Sequence, residues 1–358
     1  MAASERTESL PGQTSLTFSG TVGGTCPAAD FPKLDLLIDP RRYGSEGNWA
    51  FCRFASEEIP AVRMGFQRGG FNIGTADRQP DRDLLQLHLE VMGGDGARLW
   101  LPTGRYPASA VVNDPESLDV RLEQDGREIF RIRGWPDMEW HFRSEDDELE
   151  TELEVKIDTV TVLPDCILPR CVFSMWETMG SAQGQIRIGS RKVRVQGKVF
   201  YDHPRIEHAV RAVAPRKMYL YTTMYFEDGG GLFGYHAVDD QDRPIPYYCF
   251  GVYIDPSGKG SFLPDAHTRR LQIGADHLPT SWSLEWKGSE VAVAANITVQ
   301  DLPLLRAWGS EAAPRRRSDF VIYPLVLDGT AALTAGGRTH SLVGHGLAEY
   351  FNAERWPV

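Results

Sequence analysis

The sequence predicts an all-β protein made of two antiparallel β-barrels, with few short helices. Three observations carry that expectation. Apolar and polar residues alternate in short runs along the chain, turn formers separate the runs at intervals of roughly 8–12 residues, and no apolar pattern of helical period lasts beyond a turn or two. The 358 residues include 35 Gly and 23 Pro, spread over the whole length, a density that interrupts long helices and favours many tight connections.

Taken in order, residues 83–92 (DLLQLHLEVM) place Leu85, Leu87, Leu89 and Val91 on one face. Leu118, Val120 and Leu122 alternate, Asp125-Gly126 turns, and residues 129–133 run back, a strong hairpin signal. Residues 151–162 (TELEVKIDTVTV) alternate again. Residues 185–188 and 192–199 flank a Gly189-Ser190 turn. Residues 217–226 (KMYLYTTMYF) form a long strand that ends at Gly229-Gly230-Gly231, and residues 232–238 and 247–254 follow. Residues 282–286 and 291–299 make another hairpin, and residues 320–327 and 344–351 close the chain. Residues 301–308 are the one short helix expected. Roughly sixteen strands exceed one small barrel of about eight, so two barrels fit. The expected boundary is the Pro- and Cys-containing stretch 163–171, giving domains 1–168 and 169–358.

Charge and composition exclude several classes. Hydrophobic residues are 42% and charged residues 24%, ordinary globular values. Asp+Glu number 49 against 38 Lys+Arg, a net charge of -11, which repels phosphate backbones and anionic membrane surfaces. No apolar run approaches the ~20 residues needed to span a bilayer, so no stable membrane insertion is expected. The first fifteen residues lack a basic region followed by an apolar stretch, and five cysteines is an odd, sparse number, so reduced thiols and a cytoplasmic location are expected. Cys166 and Cys171 complete no zinc pattern. There is no GxSxG elbow, P-loop or GxGxxG opening a helix, so neither metal nor cofactor is expected.

Chemistry concentrates in Tyr201-Asp202-His203-Pro204-Arg205-Ile206-Glu207-His208, after a strand. Two His, two carboxylates, an Arg and a Tyr in eight residues supply an acid, a base and a charge partner; a carboxylate beside an imidazole raises its pKa and fixes its tautomer. Tyr201, Asp202, His203, Glu207 and His208 are therefore the candidate catalytic residues. The plain alternative is a solvated polar loop. A second feature is the row Tyr219, Tyr221, Thr223 and Tyr225, opposite Met218, Leu220, Met224 and Phe226; the second face is core. Buried phenols need partners, so the row, with Tyr235 and His236 on the next strand, reads either as an aromatic-lined cavity for an apolar ligand or as tyrosine at a solvent edge.

Residues 176–203 (WETMGSAQGQIRIGSRKVRVQGKVFYDH) and 344–350 (GHGLAEY) carry a resemblance. They resemble the opening and closing strands of the second domain in the family of carotenoid 1,2-hydratase (hydroxyneurosporene synthase). The match reaches Trp176, Glu177, Gly197, Tyr201, Asp202, His203 and Glu349. Where that family tends to have a Trp-Gly pair, this chain has Pro204-Arg205-Ile206. The resemblance implies tandem lipocalin-like barrels that act on greasy, polyunsaturated molecules, as hydratases or as cyclases of the Diels–Alderase type. It adds Trp176, Glu177 and Glu349 to Tyr219, Tyr221, Tyr225, Tyr235 and His236 as candidate substrate-binding residues. The expected function is a cofactor-independent cyclase or isomerase of a hydrophobic polyene or terpenoid natural-product intermediate. The alternatives are a hydratase or dehydratase at an isoprenoid double bond and a non-enzymatic carrier. The expected partner is a hydrophobic small molecule, with no nucleic acid; the oligomeric state is open.

Overall fold

In a computed structural model, two antiparallel sheets dominate the chain. The structure describes residues 6–8, 16–19, 24–30, 45–68, 84–93, 98–100, 104–114, 116–144, 147–163, 165–168, 171–206, 218–238, 241–275, 278–300 and 323–352. Strands of the first sheet are β1 (Arg6–Glu8), β2 (Leu16–Ser19), β3 (Gly24–Pro27), β4 (Ser45–Phe54), β5 (Ala61–Arg68), β6 (Leu84–Met92), β7 (Arg98–Trp100), β8 (Gly104–Pro107), β9 (Val111–Asp114), β10 (Asp119–Gln124), β11 (Arg127–Arg133), β12 (Asp137–Arg143), β13 (Leu149–Val162), β14 (Asp165–Leu168), β15 (Cys171–Ile188) and β16 (Arg191–Ile206). The second sheet holds β17 (Met218–Phe226), β18 (Gly231–Val238), β19 (Pro244–Ile254), β20 (Gly260–Leu263), β21 (Asp265–Ile273), β22 (Pro279–Lys287), β23 (Val291–Val299), β24 (Tyr323–Ala335) and β25 (Arg338–Asn352). Two 3-10 turns, Ala28–Asp30 and Ala108–Ala110, are the helical elements among the described residues, so the lipocalin-like, all-β expectation holds. The short helix expected over 301–308 lies outside the described residues. No helix among the described residues is long and apolar enough to cross a membrane.

The main path of the first sheet runs β7-β6-β5-β4-β16-β15-β13-β12-β11-β10-β9. Asp125 and Gly126 both take positive φ, 52° and 76°, between β10 and β11, the turn that Asp-Gly predicts. β15 and β16 are 18 and 16 residues long, and their register runs from Phe173↔Ile206 to Ile188↔Arg191. β15 also pairs with β13, and β16 with β4. The expected division at 168/169 therefore falls inside the first sheet: the hairpin that follows it completes that sheet. Among the described residues, the first compact unit runs through β16 and the second begins with β17.

Alternation assigns the faces. On β16, Val193, Val195, Val199 and Tyr201 belong to the first unit's core, with Ala50, Cys52 and Phe54 of β4, Met64 and Phe66 of β5 and Trp140 of β12. Phe66, Phe130 and Phe142 form a row of tilted ring contacts at centroid spacings of 5.0 and 5.6 Å.

The second sheet runs β20-β19-β18-β17-β25-β24-β23-β22-β21. Its core holds Met218, Leu220, Met224 and Phe226 with Trp282, Leu284 and Trp286. Gly234 and Gly251 leave room for the Trp286 indole: a Cβ on Gly251 would stand 2.1 Å from that ring. Gly251→Ala should therefore destabilise the protein by ~1–3 kcal/mol through overpacking, read as a lower denaturation midpoint with an unchanged slope.

Candidate functional site

Among the described residues, charged and amide side chains enter the core face of the first unit on β4, β5 and β16. On β4, Glu46 and Asn48 precede Ala50, Cys52 and Phe54 on the same face; on β5, Arg68 follows Met64 and Phe66. Arg68 Nη2 donates to Glu46 Oε2 at 3.1 Å, with the two side chains 3% and 0% exposed. His203 of β16, wholly buried, sets Nε2 3.7 Å from Glu46 Oε1. Tyr201, two residues earlier, donates its hydroxyl to Asn48 Oδ1. Burial, with the Asp202 charge behind it, raises the Tyr201 phenol well above its ordinary value, so it stays protonated.

Aromatic rings enclose this row. Trp176 lies edge-on to both Tyr201 and His203, each at 5.2 Å, and Trp140 lies edge-on to Tyr201 at 4.8 Å. Trp135 meets Trp176 at 6.3 Å and donates its indole N–H to Ala28 O at 2.8 Å. A buried imidazole beside a carboxylate and a guanidinium, walled by indoles, is equipped to hold and release a proton in a dry place.

The sequence-predicted residues do not all meet here. Tyr201, His203 and Trp176 do. Asp202 and Glu177 sit opposite one another across β15 and β16, on the other face of those strands. Both are buried, but Asp202 does not back His203; Glu46 does. Glu207 and His208 lie outside the described residues. Tyr219, Tyr221, Tyr225, Tyr235 and Glu349 belong to the second unit. Tyr221 stacks on Tyr235 at 4.5 Å, and the Tyr219 hydroxyl reaches Glu349 Oε2 at 3.5 Å. They share the face of β17 opposite the Met218–Leu220–Met224 core, so the tyrosine row does not line the second barrel's interior; the row is largely buried there, not a solvent edge.

His236 stands apart again, beside Cys249, with Nδ1 3.9 Å from Sγ. Burial, and then the His267 charge, push its pKa down to about 4. Glu46, Asn48 and Arg68 were missed from sequence. Their signal was a polar residue in phase with an apolar face.

Among the described residues, His141, Glu150 and Glu152 bring potential metal-ligand atoms within 4.8 Å of one another. His141 and Glu152 border an open groove of about 920 Å³. Arg143 Nε and Arg187 Nε already donate to Glu150, at 2.8 and 3.0 Å, and His141 bridges Glu128 and Glu150. Burial opposes ionisation of Glu150, but those hydrogen bonds outweigh it and hold the carboxyl at about 2. This is an ion-pair network that ties β11, β12, β13 and β15 together, and a dication would have to displace its guanidinium groups.

These two sheets define a protein of tandem lipocalin-like barrels. The fold is shared with the AttH-designated protein of Nitrosomonas europaea, at 13% identity over 90% of this chain and 96% of that one, with a TM-score of 0.57. Kievitone hydratase from Nectria haematococca matches at 10% identity over 87% and 89% of the two chains, TM-score 0.49. CghA, solved with Sch210972, matches at 13% identity over 86% and 88%, TM-score 0.44. No protein-family model and no curated protein matches the sequence.

Two outcomes follow from the buried groups. Arg68→Met takes the buried guanidinium away from Glu46 and should cost roughly 3–5 kcal/mol, whereas Arg68→Met with Glu46→Gln should recover much of it; chemical denaturation of the three proteins checks this. His236 stays neutral in the folded chain down to about pH 4, while the unfolded chain takes up its proton near 6.5. Stability from this group is thus complete above pH 6.5 and is lost as pH falls towards 4, by up to roughly 3 kcal/mol. In His236→Gln, the melting temperature should fall less between pH 7 and pH 5 than in the parent.

Proposed function

We propose that the chain is an enzyme that cyclises or isomerises a hydrophobic polyene or terpenoid intermediate inside the first barrel, with His203 as the acid. One observation supports this reading: a wholly buried imidazole stands 3.7 Å from a buried carboxylate, itself paired to a buried guanidinium, beside the rings of Trp176, Tyr201 and Trp140. The Arg68–Glu46 pair sets a carboxylate oxygen 3.7 Å from His203 Nε2, on the same face of the sheet. The imidazolium gives its proton to one carbon of a substrate double bond. The cation formed on the other carbon is attacked by a second double bond, closing a ring. A neighbouring carbon then returns a proton to His203, so the product is an isomer of the substrate. The faces of Trp140, Trp176 and Tyr201 stabilise the cation, and the buried setting keeps water from capturing it.

His203→Gln and Glu46→Gln should each lower kcat by ~10²–10⁴-fold in folded protein, while Asp202→Asn, on the opposite face, should stay within a few-fold. The substrate comes from mass spectrometry of extracts from the host with and without the gene. An accumulating compound equal in mass to the missing product supports the cyclase or isomerase. A difference of one water makes the protein a hydratase or dehydratase instead. Altered amounts with no structural change make it a carrier.

A further inference from the structure

We infer that the outer face of β13, β15 and β16 docks on the same face of a second copy of the chain, forming a two-fold dimer. The inference does not depend on the reading of the buried site. Its basis is a charge pattern that the strand register lays out in rows. Glu152, Gln185 and Arg194 are direct cross-strand neighbours, and so are Glu154, Gln183 and Gln196. On this face β13 carries a column of carboxylates, and β16 carries a column of cations, Lys192, Arg194 and Lys198. β15 sets two glutamines between the columns. Apart from the half-buried Gln185, all these side chains are exposed.

Neither column finds its counter-charge in its own chain. Glu152 and Glu154 accept hydrogen bonds from the Gln185 and Gln183 amides, the second at 2.8 Å. Among the described residues neither carboxylate makes an ion pair, and nor do Lys192, Arg194 and Lys198. Two strand spacings, about 10 Å, and the row of glutamines separate the columns. The open groove is lined by Glu152, Glu154, Gln183, Gln185, Arg194 and Gln196, so incoming side chains can reach both columns.

A half-turn about an axis above the sheet, parallel to β15, exchanges the two columns and keeps each row at its height. Arg194 of the second copy then stands over Glu152 of the first, and the reverse contact forms with it, as two-fold symmetry requires. Gln196 of the second copy faces Glu154, with Arg194 and Lys198 of that copy on the diagonals. Gln183 and Gln185 meet their own copies on the axis, where an amide can both donate and accept. The neighbouring rows limit the contact. Glu150 is already held by Arg143 and Arg187, and Lys156 and Lys198 place cations on both outer strands of one row. A polyanion or a polycation would meet one column of its own sign, whereas a second copy meets opposite charge on both. Exposed ion pairs contribute little each, so the dimer is weak and sensitive to salt.

Sedimentation velocity of the full-length chain, over about 10–500 µM, tests this. In about 50 mM salt the chain should show a reversible monomer–dimer equilibrium, weakened at least about five-fold in about 500 mM salt. Arg194→Glu sets like charges against Glu152 in both halves of the contact, and Glu152→Arg does the same against Arg194. Each variant alone should self-associate at least about tenfold more weakly, with an unchanged melting temperature. Mixed in equal amounts, with one variant carrying a fluorescent label, they should form a heterodimer within a few-fold of the parent affinity, because both contacts again join opposite charges. A parent that stays monomeric, a dimer indifferent to both variants, or a mixture that stays monomeric overturns the two-fold contact. None of these outcomes bears on the proposed function.

Discussion

Strict two-residue alternation along the β15–β16 hairpin governs the first unit. Sixteen residues of β16 lie in register with β15, β13 flanks one side and β4 the other. With pairing continuous on both sides, a slip of one residue would turn Tyr201 and His203 out of the core and bring Asp202 in. The same alternation decides which carboxylate serves the imidazole. Asp202 is adjacent in sequence and points away. Glu46 is distant in sequence, but it lies on the strand that pairs with β16 and on the correct face.

Placing charges in that core is costly, and the structure limits the cost by pairing. Glu46 meets Arg68, and on the other face of β5 and β6 Arg63 donates to Glu90 at 3.0 Å while its guanidinium lies 4.6 Å from the Trp49 ring. Such pairs contribute little net stability, because desolvation roughly cancels attraction, but losing one partner leaves a buried charge uncompensated. A buried ion pair is thus a positioning device. It holds the Glu46 carboxylate at a fixed point, 3.7 Å from the His203 ring.

Much of the fold was legible because strand period and turn chemistry are local. β6, the β10–β11 hairpin with Asp125-Gly126, β13, β17 and β22–β23 all fall where alternation and turn residues put them. The length of β15 and β16 was less legible, since Pro204 and the polar cluster after Val199 suggest a loop; pairing with β4 keeps residues 201–206 extended. Half of the site was legible for the same reason. Tyr201 and His203 stand in a dense polar cluster, whereas Glu46, Asn48 and Arg68 matter only through strand pairing across the chain. The tyrosine row was read correctly as one face of a strand. Which face was inside depended on the Met and Leu side chains that the core of the second unit claimed.

The pairing of β4 with β16 has a consequence for how the chain is made. Phe51 finds its partner only at Phe200, so β4 emerges from the ribosome long before the strand that covers its edge exists. Contacts of such wide sequence separation slow folding, because a large loop must close before they form. Until the hairpin is synthesised, an apolar strand edge with half of a charged core attached stays open to other chains. The nascent protein is therefore most vulnerable midway through translation, and a chaperone that holds the first strands would act in that interval.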